Sequence, residues 1–549
     1  MKVPAAVAEI LKREGVEYLI GYPVNPIIEA SAEADIRTII VRQERTGLHM
    51  ADATSRLTSG QKIGVFAMQS GPGTENAFGG VAQAYGESVP IVVLPGGYPR
   101  HLTNVPPNFN AFLNFQHVTK SAEQVTNGRF APEALRRAFT QARNGRPRPT
   151  LVEFPADVFQ EEVPEPLDYR PSPKLRTAPD PTAVDEVARV LVDAERPVIF
   201  AGQGVHYARA WSQLRALAEL LEAPVTTSIQ GKSAFPESHP LSLGCAGRSM
   251  PRPAFDAIQR ADVIFGIGCS FTRTGFGAAM PPGKTYVHAT LDPGDINKDL
   301  PAAHALVGDA GLTLEAVCTA VSERLGGRPR GRGEAVAGEI AAGREAWLAE
   351  WRPRLEAEEV PLSPYRVIWD LLHTVDVPNT IITHDAGSPR DQLVPFWSCE
   401  EPQTYIGWGK TTQLGYGLGL AMGAKLACPQ KLCINVWGDA AIGFTGMDIE
   451  TAVRERIPIL SVLFNNFSMA MELPIMRTAT SKYRSTDISG DYAALARALG
   501  AYGERVTRPD EIAPAIRRGI EKTQEGTPAL LEFITAQEIT YSTFTAGGH

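Results

Sequence analysis

Asp439 and Asn466 stand 27 positions apart in a chain of 549 residues, each close behind an apolar run. Lys431 to Val436 reads as a buried strand leading into Trp437-Gly438-Asp439-Ala440-Ala441. Gly446 to Arg456 reads as a helix, and Ile459 to Phe464 as the next strand, leading into Asn465-Asn466. Strands alternating with helices predict a parallel sheet, and such a sheet binds its ligands beyond the C-terminal ends of its strands. A carboxylate and an amide oxygen are hard donors suited to Mg²⁺. The Gly-Asp turn lets backbone N–H groups approach a diphosphate at a helix N-terminus.

A second constellation lies far upstream. Ile39-Ile40-Val41-Arg42-Gln43-Glu44 reads as a short strand ending in a carboxylate, followed by a helix with small residues, Gly47 to Ala53. The strand Ile63 to Met68 then leads into Gln69-Ser70-Gly71-Pro72-Gly73-Thr74-Glu75-Asn76. Together the two segments resemble the thiamine diphosphate enzymes. Their motifs are Gly-Asp-Gly followed by Asn-Asn, with Ala440 here for the third Gly, and strand, Glu, helix, strand, Ser-Gly-Pro-Gly, Asn. The resemblance implies that Glu44 bonds pyrimidine N1′ and promotes the imino tautomer, with Ser70, Gly71 and Asn76 also at the cofactor. An apolar pocket that raises its pKa would suit Glu44 to that task. The cofactor itself supplies the electron sink. Gly438, Asp439, Ala440, Ala441, Gly387 and Ser388 would face the diphosphate. Mg²⁺ would take side-chain oxygens of Asp439 and Asn466 and a backbone oxygen of Ser468. Leu414, in Gln413-Leu414-Gly415-Tyr416-Gly417, falls where the family places the apolar wedge that bends the cofactor.

The elements around these residues divide into three blocks, an α/β chain of three doubly wound parallel-sheet domains. Residues 1–165 form the expected pyrimidine-binding domain, 183–325 a central domain, and 360–549 the diphosphate-binding domain. A Pro-rich linker, Pro164 to about Pro181, and a charged stretch from Gly326 to about Glu359 separate them. The strand-like Gly526 to Phe533 echoes Pro149 to Phe154, so the outer blocks read as related halves. The polar tail Thr535 to His549 is expected either to be disordered or to close over the site.

All three blocks resemble the acetolactate synthase and pyruvate oxidase branch of the family, which also includes 2-oxo acid decarboxylases. The expected function is acetolactate synthase-like: decarboxylation of a 2-oxo acid and carboligation through an enamine. The resemblance also implies a homodimer or homotetramer with active sites between subunits. Gly202-Gln203-Gly204, Gly268 to Arg273 and Asp292-Pro293 align with positions that hold FAD in some members and ADP in others. Ser388-Pro389-Arg390 replaces the Gln-His-Gln of acetolactate synthases, Gly96-Gly97 replaces their Gly-Gln, and Ile475 stands near their substrate-selecting Trp. Glu472, six residues after Asn466, matches the spacing of a catalytic Glu in 2-oxo acid decarboxylases. The alternatives are therefore a 2-oxo acid or oxalyl-CoA type decarboxylase, a 2-hydroxyacyl-CoA lyase, and a non-catalytic homologue.

Composition narrows the partners. With 44% hydrophobic and 21% charged residues the chain reads as a globular enzyme. A net charge of −8 without a basic run argues against nucleic acid. No apolar run is long enough to span a membrane, and the N-terminus lacks a signal-peptide core. Six scattered cysteines fit neither a zinc site nor a disulfide framework, which predicts a reducing cytoplasm.

Overall fold

In the computed structural model, which describes residues 1–545, three six-stranded sheets follow one another along the chain. Every strand pair within them is parallel. Helices cover both faces, so central strands such as Gly64–Met68 and Ile91–Gly97 are buried at every residue. Numbered by position within each sheet, the first and third sheets share the strand order 2-1-3-4-6-5, as expected of related halves. The middle sheet has the order 3-2-1-4-5-6. In each order the connections reverse direction beside the sheet's first strand, and the crevice at that reversal is where a doubly wound sheet admits a ligand.

Two local expectations need correction. The helix after Asp439 begins at Asp439 itself rather than at Gly446: Asp439–Thr445 is helical, Gly446–Asp448 is one 3₁₀ turn, and Ile449–Arg454 continues. Asp439 sits in its first turn and accepts the Ala440 N–H at 2.8 Å. Glu44 does not end a strand either; the strand is Arg37–Ile40, and Glu44 opens the helix Glu44–Leu57. The chain leaves the sheet because the Arg42 N–H turns away to Asp448 Oδ1 at 2.7 Å.

The outer domains meet through that helix and the helix Tyr416–Ala427. Glycines permit the approach: a Cβ at Gly419 would lie 2.5 Å from the Thr46 carbonyl, and one at Gly423 would lie 2.3 Å from that of Met50. A buried ion pair within the helix Glu44–Leu57, Arg56 to Asp52 at 2.6 Å, faces the seam and is tied across it: Arg56 donates to the Gly407 carbonyl at 2.7 Å and Tyr416 bonds Asp52. Removing one partner of such a pair strands a buried charge. The described part of the C-terminal tail is a strap: Trp347 donates to Ser542 Oγ at 3.0 Å, Ser542 Oγ to the Met250 carbonyl at 2.7 Å, and Tyr365 to the Thr540 carbonyl at 2.5 Å. Residues 546–549, part of the expected tail, lie outside the described residues. All six cysteines are free thiols.

Candidate active site

At the reversal of the third sheet, strand Thr380–His384 lies beside strand Leu432–Gly438, with His384 level with Val436. The first strand runs out through Asp385-Ala386-Gly387 into the helix Ser388–Phe396, and the second into Asp439. Gly387 turns the corner with φ +83°, a backbone that side chains rarely adopt. A Cβ on Gly438 would stand 3.8 Å from Pro389, so the two turns adjoin. Ser388 Oγ exchanges a hydrogen bond with the Tyr541 hydroxyl of the tail at 2.7 Å.

Asp439 and Asn466 meet over one N–H. Ser468 N donates to Asp439 Oδ2 at 3.2 Å and to Asn466 Oδ1 at 3.0 Å. The left-handed Phe467, φ 57°, turns the Ser468 N–H back towards both. Burial pushes Asp439 up to about 6, against backbone N–H groups of residues 440, 468, 467 and 466 that favour its charged form. Ser468 Oγ is buried without a partner. Two hard oxygens converging beside an orphaned hydroxyl form a donor set that fits Mg²⁺. The turn beside it, with the helix N-terminus at Ser388, fits a diphosphate.

At the reversal of the first sheet, strands Tyr18–Tyr22 and Gly64–Met68 lie side by side, and Gln69 to Gly71 leave the second of them. Glu44 is only 3% exposed. Burial raises its carboxyl above the ordinary value, its own backbone N–H and the Asn76 side chain draw it back, and Asp448 raises it again. A Cβ at Gly73 would come within 3.2 Å of Glu44 Oε1, so the loop Ser70–Gly73 presses on this carboxylate. Asn76 is exposed and Leu414 is half-buried on the core shared by the outer domains. Glu44 lies near Asp448, in the helical stretch that Asp439 opens.

Glu472 is the exposed end of a 3₁₀ turn, Ala470–Glu472, whose first residue is buried. The turn abuts the phosphate-facing corner, since a Cβ on Gly387 would lie 3.9 Å from Met471 Sδ. Ile475 is 76% exposed.

Three buried residues escaped the sequence reading. Asp385 accepts N–H bonds from Ala386 at 2.7 Å, Gly415 at 2.9 Å and Gly417 at 3.0 Å, and burial pushes it up to about 6 against them. Glu87 Oε1 gathers the N–H groups of Gly409, Lys410 and Thr411 at 3.1, 2.6 and 3.2 Å. Gln83 Oε1 accepts the Thr411 hydroxyl at 2.6 Å. Together they hold residues 409–417, and with them Leu414. Asp385 stands two residues before Gly387 and was legible as a carboxylate at a strand end; Glu87 and Gln83 lie in no motif.

The reversal of the middle sheet opens a cavity of about 400 Å³ between all three domains. Its floor is the pair of turns Gly202-Gln203-Gly204 and Gly268-Cys269, which follow the adjacent strands Pro197–Ala201 and Val263–Ile267. Phe271 stacks on Phe200 at 5.7 Å along one wall. The volume is that of a small-molecule site.

Comparison with known proteins agrees with this geometry. Residues 1–125 match the family "Thiamine pyrophosphate enzyme, N-terminal TPP binding domain", 184–317 its central domain, and 385–533 its C-terminal TPP binding domain. The "Probable acetolactate synthase large subunit" of Methanocaldococcus jannaschii is 30% identical, over 97% of this chain and 92% of its own. "Acetolactate synthase isozyme 3 large subunit" of Escherichia coli (strain K12) is 28% identical over 93% and 91%. "Acetolactate synthase large subunit" of Parasynechococcus marenigrum is 31% identical over 92% and 83%.

Proposed function

Since this chain belongs to the thiamine pyrophosphate enzymes and is acetolactate synthase-like, we propose that it uses thiamine diphosphate and Mg²⁺ to break and form C–C bonds at the carbonyl of a 2-oxo acid. The observation that carries the metal is the convergence of Asp439 Oδ2 and Asn466 Oδ1 on Ser468. Thiamine diphosphate, when bound, supplies a nucleophilic carbon and an electron sink. The chain's own residues do the rest. Asp439, Asn466 and the Ser468 carbonyl hold the metal. Gly387, Ser388, Gly438, Ala440 and Ala441 offer backbone to the diphosphate. Leu414 packs beneath the bend. Glu44, buried and raised above an ordinary carboxylate, exchanges a proton with the pyrimidine, with Ser70, Gly71 and Asn76 beside it.

The similarity to acetolactate synthase large subunits supports active sites shared between subunits, in a homodimer or a homotetramer. The exposed apolar side chains Phe78, two residues after Asn76, and Phe444 and Met447, in the helical stretch that Asp439 opens, offer surface for such a partner. The central cavity, at the switch point of a dinucleotide-type strand order, suits an adenine nucleotide, FAD or ADP. Free cysteines, four of them buried, favour a reducing cytoplasm. No helix among the described residues is long and apolar enough to cross a membrane.

A second reading, a decarboxylase or a 2-hydroxyacyl-CoA lyase, draws on Glu472 beside the Gly387 corner and on the aliphatic Ile475. One assay separates the two: purified protein with thiamine diphosphate and Mg²⁺, offered pyruvate, bulkier 2-oxo acids and oxalyl-CoA, with products identified by mass spectrometry. Acyloin products support the synthase-like reading, and aldehyde or formyl-CoA without acyloin supports the second.

A further inference from the structure

Lys410 reaches the central cavity from a foreign domain. It sits in the segment 409–417 that leads to Leu414 in the third domain, yet it lines the cavity whose floor is built by the middle domain. Its backbone is immobilised by Glu87 of the first domain, at 2.6 Å. Its position is therefore built by all three domains.

Five cationic residues line the cavity against four carboxylates, Asp292, Asp295, Asp299 and Asp309. Asp295 serves two cations, Arg146 at 2.5 Å and Lys298 at 2.9 Å. Asp309 is taken by Arg176 at 2.8 Å and by two N–H groups at the start of the helix Ala310–Arg324. Arg143 is paired with Glu14 at 2.6 Å. Lys174 donates to the Tyr207 carbonyl at 2.7 Å. For the Lys410 ammonium, no hydrogen bond or ion pair is found among the described residues, and it opens into the cavity. A half-buried cation with no bonded partner is costly, and a ligand that brings an anion removes that cost.

We propose that Lys410 is the anion-recognition residue of the central cavity and binds the diphosphate of a nucleotide there, a role that rests on the reading of the cavity as a nucleotide site. The shared chemistry is a nucleoside diphosphate, either free ADP or the ADP half of FAD. The same segment carries Leu414 four residues on, so a ligand seated on Lys410 also steadies the wedge of the thiamine site.

The ligand-free residue carries a titration signature. Burial, with Arg146 and Lys298 nearby, outweighs Glu87 and Asp295 and brings Lys410 down to about 8. A bound diphosphate restores its charge. Below about 8 the lysine is charged with or without ligand, and affinity is level; above it, binding must take up a proton, and affinity falls by roughly tenfold per pH unit. A nucleotide diphosphate is fully ionised over that range, and the neighbouring Cys269 thiol, pushed up to about 12, stays protonated.

The test is calorimetric binding of ADP, FAD and adenosine to the full chain saturated with thiamine diphosphate and Mg²⁺, across that pH range. Lys410→Met should weaken ADP or FAD by roughly ten- to a hundredfold and leave adenosine and thiamine diphosphate binding unchanged. Lys410→Arg should keep the affinity and lose its decline above about 8. A response with ADP alone identifies a free nucleotide, and one with FAD a flavin. Wild-type affinity in Lys410→Met, or an undiminished pH decline in Lys410→Arg, overturns the role of Lys410 alone. Failure of the wild type to bind either nucleotide overturns the cavity reading along with it.

Discussion

Asp385 accepts the backbone N–H of Gly415 at 2.9 Å, and so ties the turn that carries Gly387 and Ser388 to the segment that carries Leu414. One carboxylate thereby sets the spacing between the residues assigned to the diphosphate and the residue assigned to the bend. Asp385→Ala would orphan three buried N–H groups and should cost roughly 2–4 kcal/mol in denaturant unfolding, with weaker thiamine diphosphate binding. Because burial holds Asp385 at about 6, above its ordinary 3.8, its contribution to stability is greatest in acid and declines as pH rises between those values. Asp385→Asn should reduce that slope in unfolding curves measured at both ends of the range; an unchanged slope would locate it elsewhere.

Glu44→Gln should lower turnover by roughly 10²–10⁴-fold while folding and cofactor binding persist. Near-normal turnover in steady-state assays would remove Glu44 from the proton step.

The division of the site between subunits has its own test. Glu44→Gln and Asp439→Ala are each expected to be inactive. Mixed and reassembled, they should recover activity up to about a quarter of wild type, because half of random dimers carry one intact site out of two. No recovery, despite subunit exchange seen by native mass spectrometry, would place both residues in one chain's site.

Asp439→Ala and Asn466→Ala should each raise the Mg²⁺ concentration needed for thiamine diphosphate binding by roughly tenfold to a hundredfold or more, the loss that even indirect ligand partners produce. Identical metal titrations for variant and wild type would show that the oxygens meeting over Ser468 serve only the loop.

Glu472→Gln should slow product formation by roughly 10²–10⁴-fold with cofactor affinity unchanged, if its exposed carboxyl moves a proton. Unchanged rates for every product in the substrate panel would leave Glu472 a solvated acid.

Much of the architecture was readable in one dimension. Short apolar runs punctuated by glycine and alternating with helical stretches specify parallel sheets, and Gly438-Asp439 with Asn465-Asn466 marks two strand ends of one sheet. Such signals are local, held within a few residues of backbone. The helix Asp439–Thr445 spans 7 residues, too short for a periodic pattern to announce it.

The amino-acid sequence by itself determined the fold class, the thiamine pyrophosphate family and the residue types available at each strand end, because these follow from local patterns and motif spacing. Only the tertiary structure decided which of those ends adjoin, that Asp448 faces Glu44, and that Glu87 holds the backbone from which Lys410 enters a cavity of another domain. Those relations join residues hundreds of positions apart. They arise from how helices and sheets pack, where glycines at 419 and 423 admit a backbone and a buried carboxylate must find its donors.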